Sequence, residues 1–337
     1  MIHVKTDEIY GKNSIVNSND FRSHILSIDS RFRKSCLEPP TDFLYELEHT
    51  YKNVIKARVA SVEIPIGFYN FSQVKKNTMF RIDAVDYEGH VYYLQITIPD
   101  GDYTPESLIN AIQGQLNGVR DMYGIFFRIC MDNVSRRVTI VHDGSAKPPC
   151  PLAPVYCPVP FAITFMMMGL EDRNYDFGLG YNLGFNKQVY EVSEPFSITG
   201  ESLINTDGEN YFLLQVDDMH TVSHRTQNTF IECLAKILIK RDHRNGIIFD
   251  DGYTVLSNEM TFPRPVDMKR MRIRLLDVYG EPVDLHNMNF SISLEITEVM
   301  NVQLYDNYRT YLWSEKEPMA VRNVSGSAGG IVAKNFN

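Results

Sequence analysis

Residues 43–71 read FLYELEHTYKNVIKARVASVEIPIGFYNF. The stretch opens with a short β-type run and continues through a long strand rich in Val and Ile, Val54 to Ile64. It breaks at Pro65 and Gly67 and closes on the aromatic residues Phe68, Tyr69 and Phe71. Ile55, Ala57 and Val59 alternate with Lys56 and Arg58, the period-2 pattern of a sheet with one wet face. From Ala60 onward both faces are apolar or small, which is expected where a strand passes from a sheet's rim into a sandwich interior. The strand signals on either side of this stretch supply the other members of that sandwich.

Upstream, residues 1–40 read as an extended arm, rich in Asn, Ser and Asp and closed by Pro39-Pro40, with one β-like piece at His24–Ile28. Downstream, Met79–Ala84 and Tyr92–Ile98 are strand-like, and Pro99-Asp100-Gly101-Asp102 is a turn signal. A helix is expected over 104–117. Thr104 can cap it, Pro105 suits its first position, and Leu108, Ile109, Ile112 and Leu116 form one stripe. Ile125–Met131 and Val138–His142 follow as strands. Residues 146–160 are Pro- and Cys-rich and place a boundary there. Phe161–Leu170 reads as a buried strand or a helix start, and Gly178–Phe185 as a glycine-rich crossing.

The second half resumes the β rhythm at Phe196–Thr199, Tyr211–Val216, Phe230–Lys240, Ile247–Phe249, Arg270–Leu276 and Asn289–Val299. From Met300 the pattern decays into a small-residue tail. The expected organisation is an N-terminal arm (1–40), a first β-sandwich segment (41–160), a second β-rich segment (161–300) and a C-terminal tail (301–337). The fold class is all-β: an antiparallel sandwich of jelly-roll type, one elaborated or two in tandem, with one short helix.

With 337 residues, 44% hydrophobic and 22% charged, the chain can bury a substantial core and is not a disordered polymer. Its net charge of −9 argues against a protein that coats nucleic acid, which needs a surplus of cations. The five cysteines (Cys36, Cys130, Cys150, Cys157, Cys233) are odd in number, scattered, and without a C-x-x-C pair, as expected of reduced thiols. The first twenty residues carry no apolar core of a signal peptide, and the longest apolar run, 161–170, is too short to span a membrane. Sequons at Asn70, Asn133, Asn289 and Asn323 are read as coincidental.

Few residues suggest chemistry. Asp217, Asp218, His220 and His224 lie within eight positions and could hold Zn²⁺ or Mn²⁺ if they converged, but no H-e-x-x-h pattern accompanies them and a surface loop is the simpler reading. Gly178, Gly180 and Gly184 have the wrong spacing for a dinucleotide loop. No P-loop, no nucleophile elbow and no cysteine-nucleophile signature is present. No catalytic residue and no cofactor is expected. The strongest charge feature is basic: Lys269, Arg270, Arg272 and Arg274, with Arg264 nearby. In an acidic chain this face points to an acidic protein partner, or to a neighbouring strand carrying Glu295 and Glu298.

Several stretches, in order along the chain, resemble the minor capsid and vertex (penton) proteins of nucleocytoplasmic large DNA viruses. They are Asn53–Pro65 followed by Phe68–Phe71, Pro99–Tyr103 leading into the helix, Asn182–Phe185, Tyr211–Asp218, Cys233–Ile237, and Arg272–Gly280 through Phe290–Ile296. The resemblance implies a jelly-roll building block of an icosahedral virion, made in the host cytoplasm and without catalytic residues. Its implied partners are major-capsid capsomers and other minor capsid proteins, or four further copies if it forms a five-fold penton. The terminal arms lean the reading toward a minor capsid protein. A glycan- or receptor-binding sandwich, with the Asp217–His224 loop as its site, is the alternative of another class.

Overall fold

The computed structural model describes residues 20–85, 89–145, 158–165, 178–217, 219–226, 230–239, 247–250, 259–303 and 305–306. The strands are β1 (Phe21–Asp29), β2 (Asp42–Pro65), β3 (Met79–Val85), β4 (Val91–Thr97), β5 (Ile125–Met131), β6 (Val138–Ser145), β7 (Phe161–Thr164) and β8 (Val189–Val192). They continue with β9 (Ser197–Thr199), β10 (Tyr211–Val216), β11 (Val222–Arg225), β12 (Phe230–Cys233), β13 (Ala235–Leu238), β14 (Ile247–Asp250), β15 (Met260–Leu276) and β16 (Ser291–Val299). The described residues also form two α-helices, α1 (Pro105–Tyr123) and α2 (Leu179–Asn182), and a 3-10 turn at Ser30–Phe32. The chain is all-β, and the strand pairs are antiparallel.

The largest sheet runs β1-β16-β2-β15-β10-β13, with β14 also on β2. Its spine is β2, whose 24 residues pair with β16 along one side and with β15 and then β14 along the other. Its inward set is Val54, Ala57, Val59, Val62 and Ile64, which is not a simple alternation. Two register shifts against β16 explain the pattern. One falls at Ile55, between Val54 and Lys56, and the other at Ala60, between Val59 and Ser61. Each inserts one residue, so the buried parity changes from odd to even across Ala60. The apolar run after Ala60 therefore marks a bulge, where the sequence pattern suggests entry into an interior.

A similar irregularity shapes β15. Its register against β2 shifts between Thr261 and Val266, where Pro263 and Pro265 cannot donate to a ladder. It shifts again between Met268 and Arg270, so Lys269 and Arg270 both face outward between the buried Met268 and Met271. The core of this sheet gathers Leu26 and Ile28 of β1, Phe212 and Leu214 of β10, Ile273 and Leu275 of β15, and Ile292, Leu294 and Ile296 of β16. Phe43 meets Phe290 edge-on at 6.2 Å, and Phe68 meets Phe212 at 5.0 Å.

A second core is built from residues 71–204. The sheet β4-β3-β7-β8 and the sheet β5-β6-β9 enclose Phe80, Ile82, Ile96, Ile129, Ile140, Ile163 and their neighbours. Leu108, Ile112 and Leu116 of α1 pack on the same core. Thr104 caps the helix through a reciprocal bond pair with Ser107. Asn117-Gly118 does not end it, because Val119 still packs on the core and a left-handed Gly124 supplies the stop, its N–H bonded to the Arg120 carbonyl at 2.9 Å.

The cores change over at two crossings of the chain, between Phe68 and Phe71 and between Ile204 and Phe212. The sandwich is thus strung between β2 and β10 of the large sheet, whereas composition suggests a change at 146–160, most of which lies outside the described residues. The Pro99–Tyr103 turn anchors the first crossing. Gly101 and Phe71 exchange backbone bonds at 2.9 and 3.1 Å, Asp102 accepts from the Asn70 N–H at 2.8 Å, and Asp100 accepts from Gln73 at 3.1 Å.

The stretch expected as an extended arm, 1–40, contains a strand of the large sheet. Phe21–Asp29 pairs residue for residue with β16, because Leu26 and Ile28 supply an inward stripe the large sheet can bury. Residues 1–19 lie outside the described residues, as does nearly all of the expected tail, 307–337. The Phe230–Lys240 strand breaks in two at Leu234, whose N–H turns to the Leu214 carbonyl at 2.8 Å. Phe161–Thr164 is a strand, and β8 and β11, each only four residues long, are too short to leave a strand pattern in the sequence.

The glycine-rich crossing has a steric cause. A Cβ on Gly180 would lie 2.3 Å from the Phe165 ring, and one on Gly184 would lie 2.3 Å from the Ser202 carbonyl. Gly184 also has a φ of +87°, strained for any L side chain. Gly184→Ala is therefore expected to lower the unfolding free energy by at least about 2 kcal/mol, combining the strained φ with a backbone collision. Gly114→Ala, inside α1 with nothing within 4 Å of the new methyl, is expected to raise it by about 0.5–1 kcal/mol. Urea titrations of both variants check the pair.

Candidate functional site

Three places compete as functional surface: the basic face of β15, the Asp217–His224 stretch, and a cleft between the two cores. On β15, Arg270, Arg272 and Arg274 point away from the buried Met271, Ile273 and Leu275, and the bulge adds Lys269 to that outward row. Arg264 is exposed in the proline-interrupted part of the strand. The neighbouring carboxylates come from β2. Arg272 forks onto Asp42, with Nε–Oδ1 at 2.8 Å and Nη2–Oδ2 at 2.9 Å. Arg270 stands opposite Glu46, which also takes a bond from Lys34 at 2.8 Å. The Lys34 bond first, then its charge and the fields of Lys269 and Arg270, hold the Glu46 carboxyl below its ordinary range.

The strand carrying Glu295 and Glu298 is not the neighbour of this face, because β2 lies between β15 and β16. Glu295 pairs instead with Arg58 of β2 at 2.6 Å, and Glu298 with His24 of β1 at 2.8 Å. Asp42 and Glu46 of β2 balance part of the basic row within the sheet. An exposed ion pair contributes about 0–1 kcal/mol, against about 2–5 kcal/mol for a buried Leu, Ile or Met. The strand is held in place by its inner apolar residues, and its arginines are surface.

The Asp217–His224 stretch is not a free loop. Asp217 has a φ of +40°, and its Oδ1 accepts from the Arg272 backbone N–H at 2.8 Å. Met219 is buried in the large sheet's core, and β11 begins at Val222. The two imidazoles take different partners. His224 Nε2 lies 2.9 Å from the Val278 carbonyl, and His220 Nδ1 lies 3.7 Å from Glu232 across the β11–β12 hairpin. Among the described residues no three metal-ligating side chains converge; Asp218 is outside them.

The cleft has a volume of about 220 Å³ and is lined by Lys75, Tyr181, Glu209, Asn210, Tyr211 and Tyr279, among others. Lys75 and Glu209 pair at 3.3 Å. Several amides along it tie the crossings together: Asn70 donates to the Thr206 carbonyl and Asn182 to the Asn205 carbonyl, each at 3.0 Å. Sequence reading could not find it, since its walls come from four separated segments. The amides it does contain read as seam, holding backbone to backbone.

Cys233 is fully buried on β12 and burial pushes its thiol up to about 11, the opposite of an activated nucleophile. Cys36 and Cys130 are exposed. Of the sequon asparagines, Asn70 is buried, and Asn289 Oδ1 accepts from Ser30 at 3.1 Å and Arg33 at 2.8 Å. Among the described residues no helix is long and apolar enough to cross a membrane.

No protein-family model matches the chain, and no curated protein does. Among solved structures, the crystal structure of selenomethionine-labelled mavirus penton protein aligns over 82% of this chain and 98% of its own, at 10% identity and a TM-score of 0.34. A likeness that loose carries no functional conclusion.

The thiol supplies a test of the buried hairpin junction. The folded-state value lies above the unfolded one, so its stabilising contribution is complete below the ordinary thiol range and declines as pH rises from about 9 toward 11. Peptide mapping after alkylation of native protein at neutral pH is expected to label Cys36 and Cys130 and to spare Cys233. Labelling of Cys233 at a comparable rate would show that the junction between β12 and β13 is open.

Proposed function

We propose that this chain is a structural protein of an icosahedral virion, a minor capsid component that works by presenting sheet surfaces and edges to neighbouring subunits. The observation that carries the reading is where the family-like segments fall. Asn53–Pro65 is the bulged spine of the large sheet, and Phe68–Phe71 is the crossing into the sandwich. Pro99–Tyr103 is the turn that anchors that crossing, and Asn182–Phe185 is the tight glycine passage. Tyr211–Val216, Arg272–Leu276 and Ser291–Ile296 are paired strands of the large sheet. The resemblance thus rests on the residues that determine architecture and not on scattered surface matches.

The contacts proposed for neighbouring capsomers include the outward row of β15, Lys269 and Arg264 above all, since Arg272 is engaged by Asp42. A penton at the five-fold vertex is the finer alternative within the same class. Neither reading requires a bound cofactor. Mass spectrometry of gradient-purified particles from infected cells is expected to find the chain at a fixed ratio to the major capsid protein, and a particle reconstruction to place it between or beneath capsomers. Absence from purified particles would overturn the proposal, and density confined to the vertices would select the penton form.

A further inference from the structure

Each open edge of a β-sheet is a row of unpaired backbone groups, and proteins ordinarily blunt such edges. One edge here is blunted in a readable way. Gln113 of α1 reaches over the outer side of β5, its Oε1 accepting from the Ile129 N–H at 2.9 Å and its Nε2 donating to the Phe127 carbonyl at 3.2 Å. Among the described residues, no such cover lies over Ser23, Ile25 and Ser27 of the edge formed by β1. It is nine residues long, about 30 Å of strand, in unbroken register with β16 and without proline. Among the described residues no strand pairs with its outer side.

The direction of its backbone groups follows from two bonds at its ends. Asp20 accepts from the Met300 N–H at 2.8 Å, and Ser30 donates to the Phe290 carbonyl at 3.0 Å, so even-numbered residues address β16. In an antiparallel ladder the direction alternates, so Ser23, Ile25 and Ser27 turn their N–H and C=O groups away from β16. The same three residues have exposed side chains, Ile25 being 63% exposed at the strand's midpoint.

We propose that β1 pairs antiparallel with β1 of a second copy of this chain, about a two-fold axis through Ile25, joining two large sheets edge to edge. The register centred on this residue sets Ile25 against Ile25 and Ser23 against Ser27 of the other copy. Ser23, Ile25 and Ser27 then meet Ser27, Ile25 and Ser23 of the other copy, so their outward N–H and C=O groups face one another and their exposed side chains share one face. The exposed isoleucine covers itself, its flanking serines are small and neutral, and no like charges stand opposite. Parallel pairing would bring Arg22 beside Arg22 and Asp29 beside Asp29 of the other copy, and the antiparallel register avoids both. This inference uses only the chemistry of the edge and is independent of the virion reading.

The test uses the full chain with Cys36 and Cys130 replaced by Ser. Sedimentation is expected to show a concentration-dependent dimer of the 38.8 kDa chain, and Ile25→Cys is expected to form a disulfide-linked dimer under mild oxidation. Ser27→Pro removes an N–H that points outward, so it should leave circular dichroism unchanged while returning the protein to monomer. Leu26→Pro, whose N–H addresses β16, should destabilise the fold and serves as the contrast. A well-folded parent that stays monomeric at every concentration would overturn the proposal. So would an assembly that Ser27→Pro leaves intact, or one in which position 25 fails to cross-link.

Discussion

The constraint on which the molecule depends is the ladder around β2. A single strand of 24 residues serves β16 on one side and β15 and β14 on the other. Because side chains alternate with period two, one uncorrected slip would turn its apolar set to solvent. The two bulges at Ile55 and Ala60 are what keep Val54, Ala57, Val59, Val62 and Ile64 on the same side despite the twist of so long a strand. The rest follows from that alignment. β1 is held through β16, β10 through β15, and the second core hangs from the end of β2 through Pro65–Phe71.

The two crossings explain why so many asparagines and acids near them are buried or bonded. A crossing strand leaves both sheets at once, so its backbone groups lose ladder partners and must be satisfied by side chains. Asp100, Asp102, Asn70 and Asn182 do this work, and Gly184 lets two backbones approach where no side chain fits. The polar cleft beside them is a consequence of that arrangement.

Much of this architecture was legible in the sequence. Ile125–Met131 and Tyr211–Val216 were readable to the residue, the first because it alternates cleanly and the second because a continuous apolar run is bounded by Asn210 and Asp217. The helix start at Thr104 was equally plain, while its end was not, since Gly124 outcompetes Asn117-Gly118 only in the context of a core that still holds Val119. Bulges were invisible, because an extra residue in one strand is defined by its partner. For the same reason the basic row on β15 pointed to Glu295 and Glu298. Alternation shows which face a charge occupies but not which strand lies alongside, and the neighbour supplied Asp42 and Glu46. The nesting of one core between strands of the other was beyond reach, as it depends on pairings separated by about two hundred positions, such as Asp42 with Arg274.

Native-state hydrogen exchange tests the role of β2 most directly. The ladder amides of Val54–Ile64 are expected to be among the slowest in the protein and to exchange together with their partners on β16 and β15, as one cooperative unit. Exchange of those amides at the rate of the short β11–β12 hairpin, or independently of β16, would contradict the account.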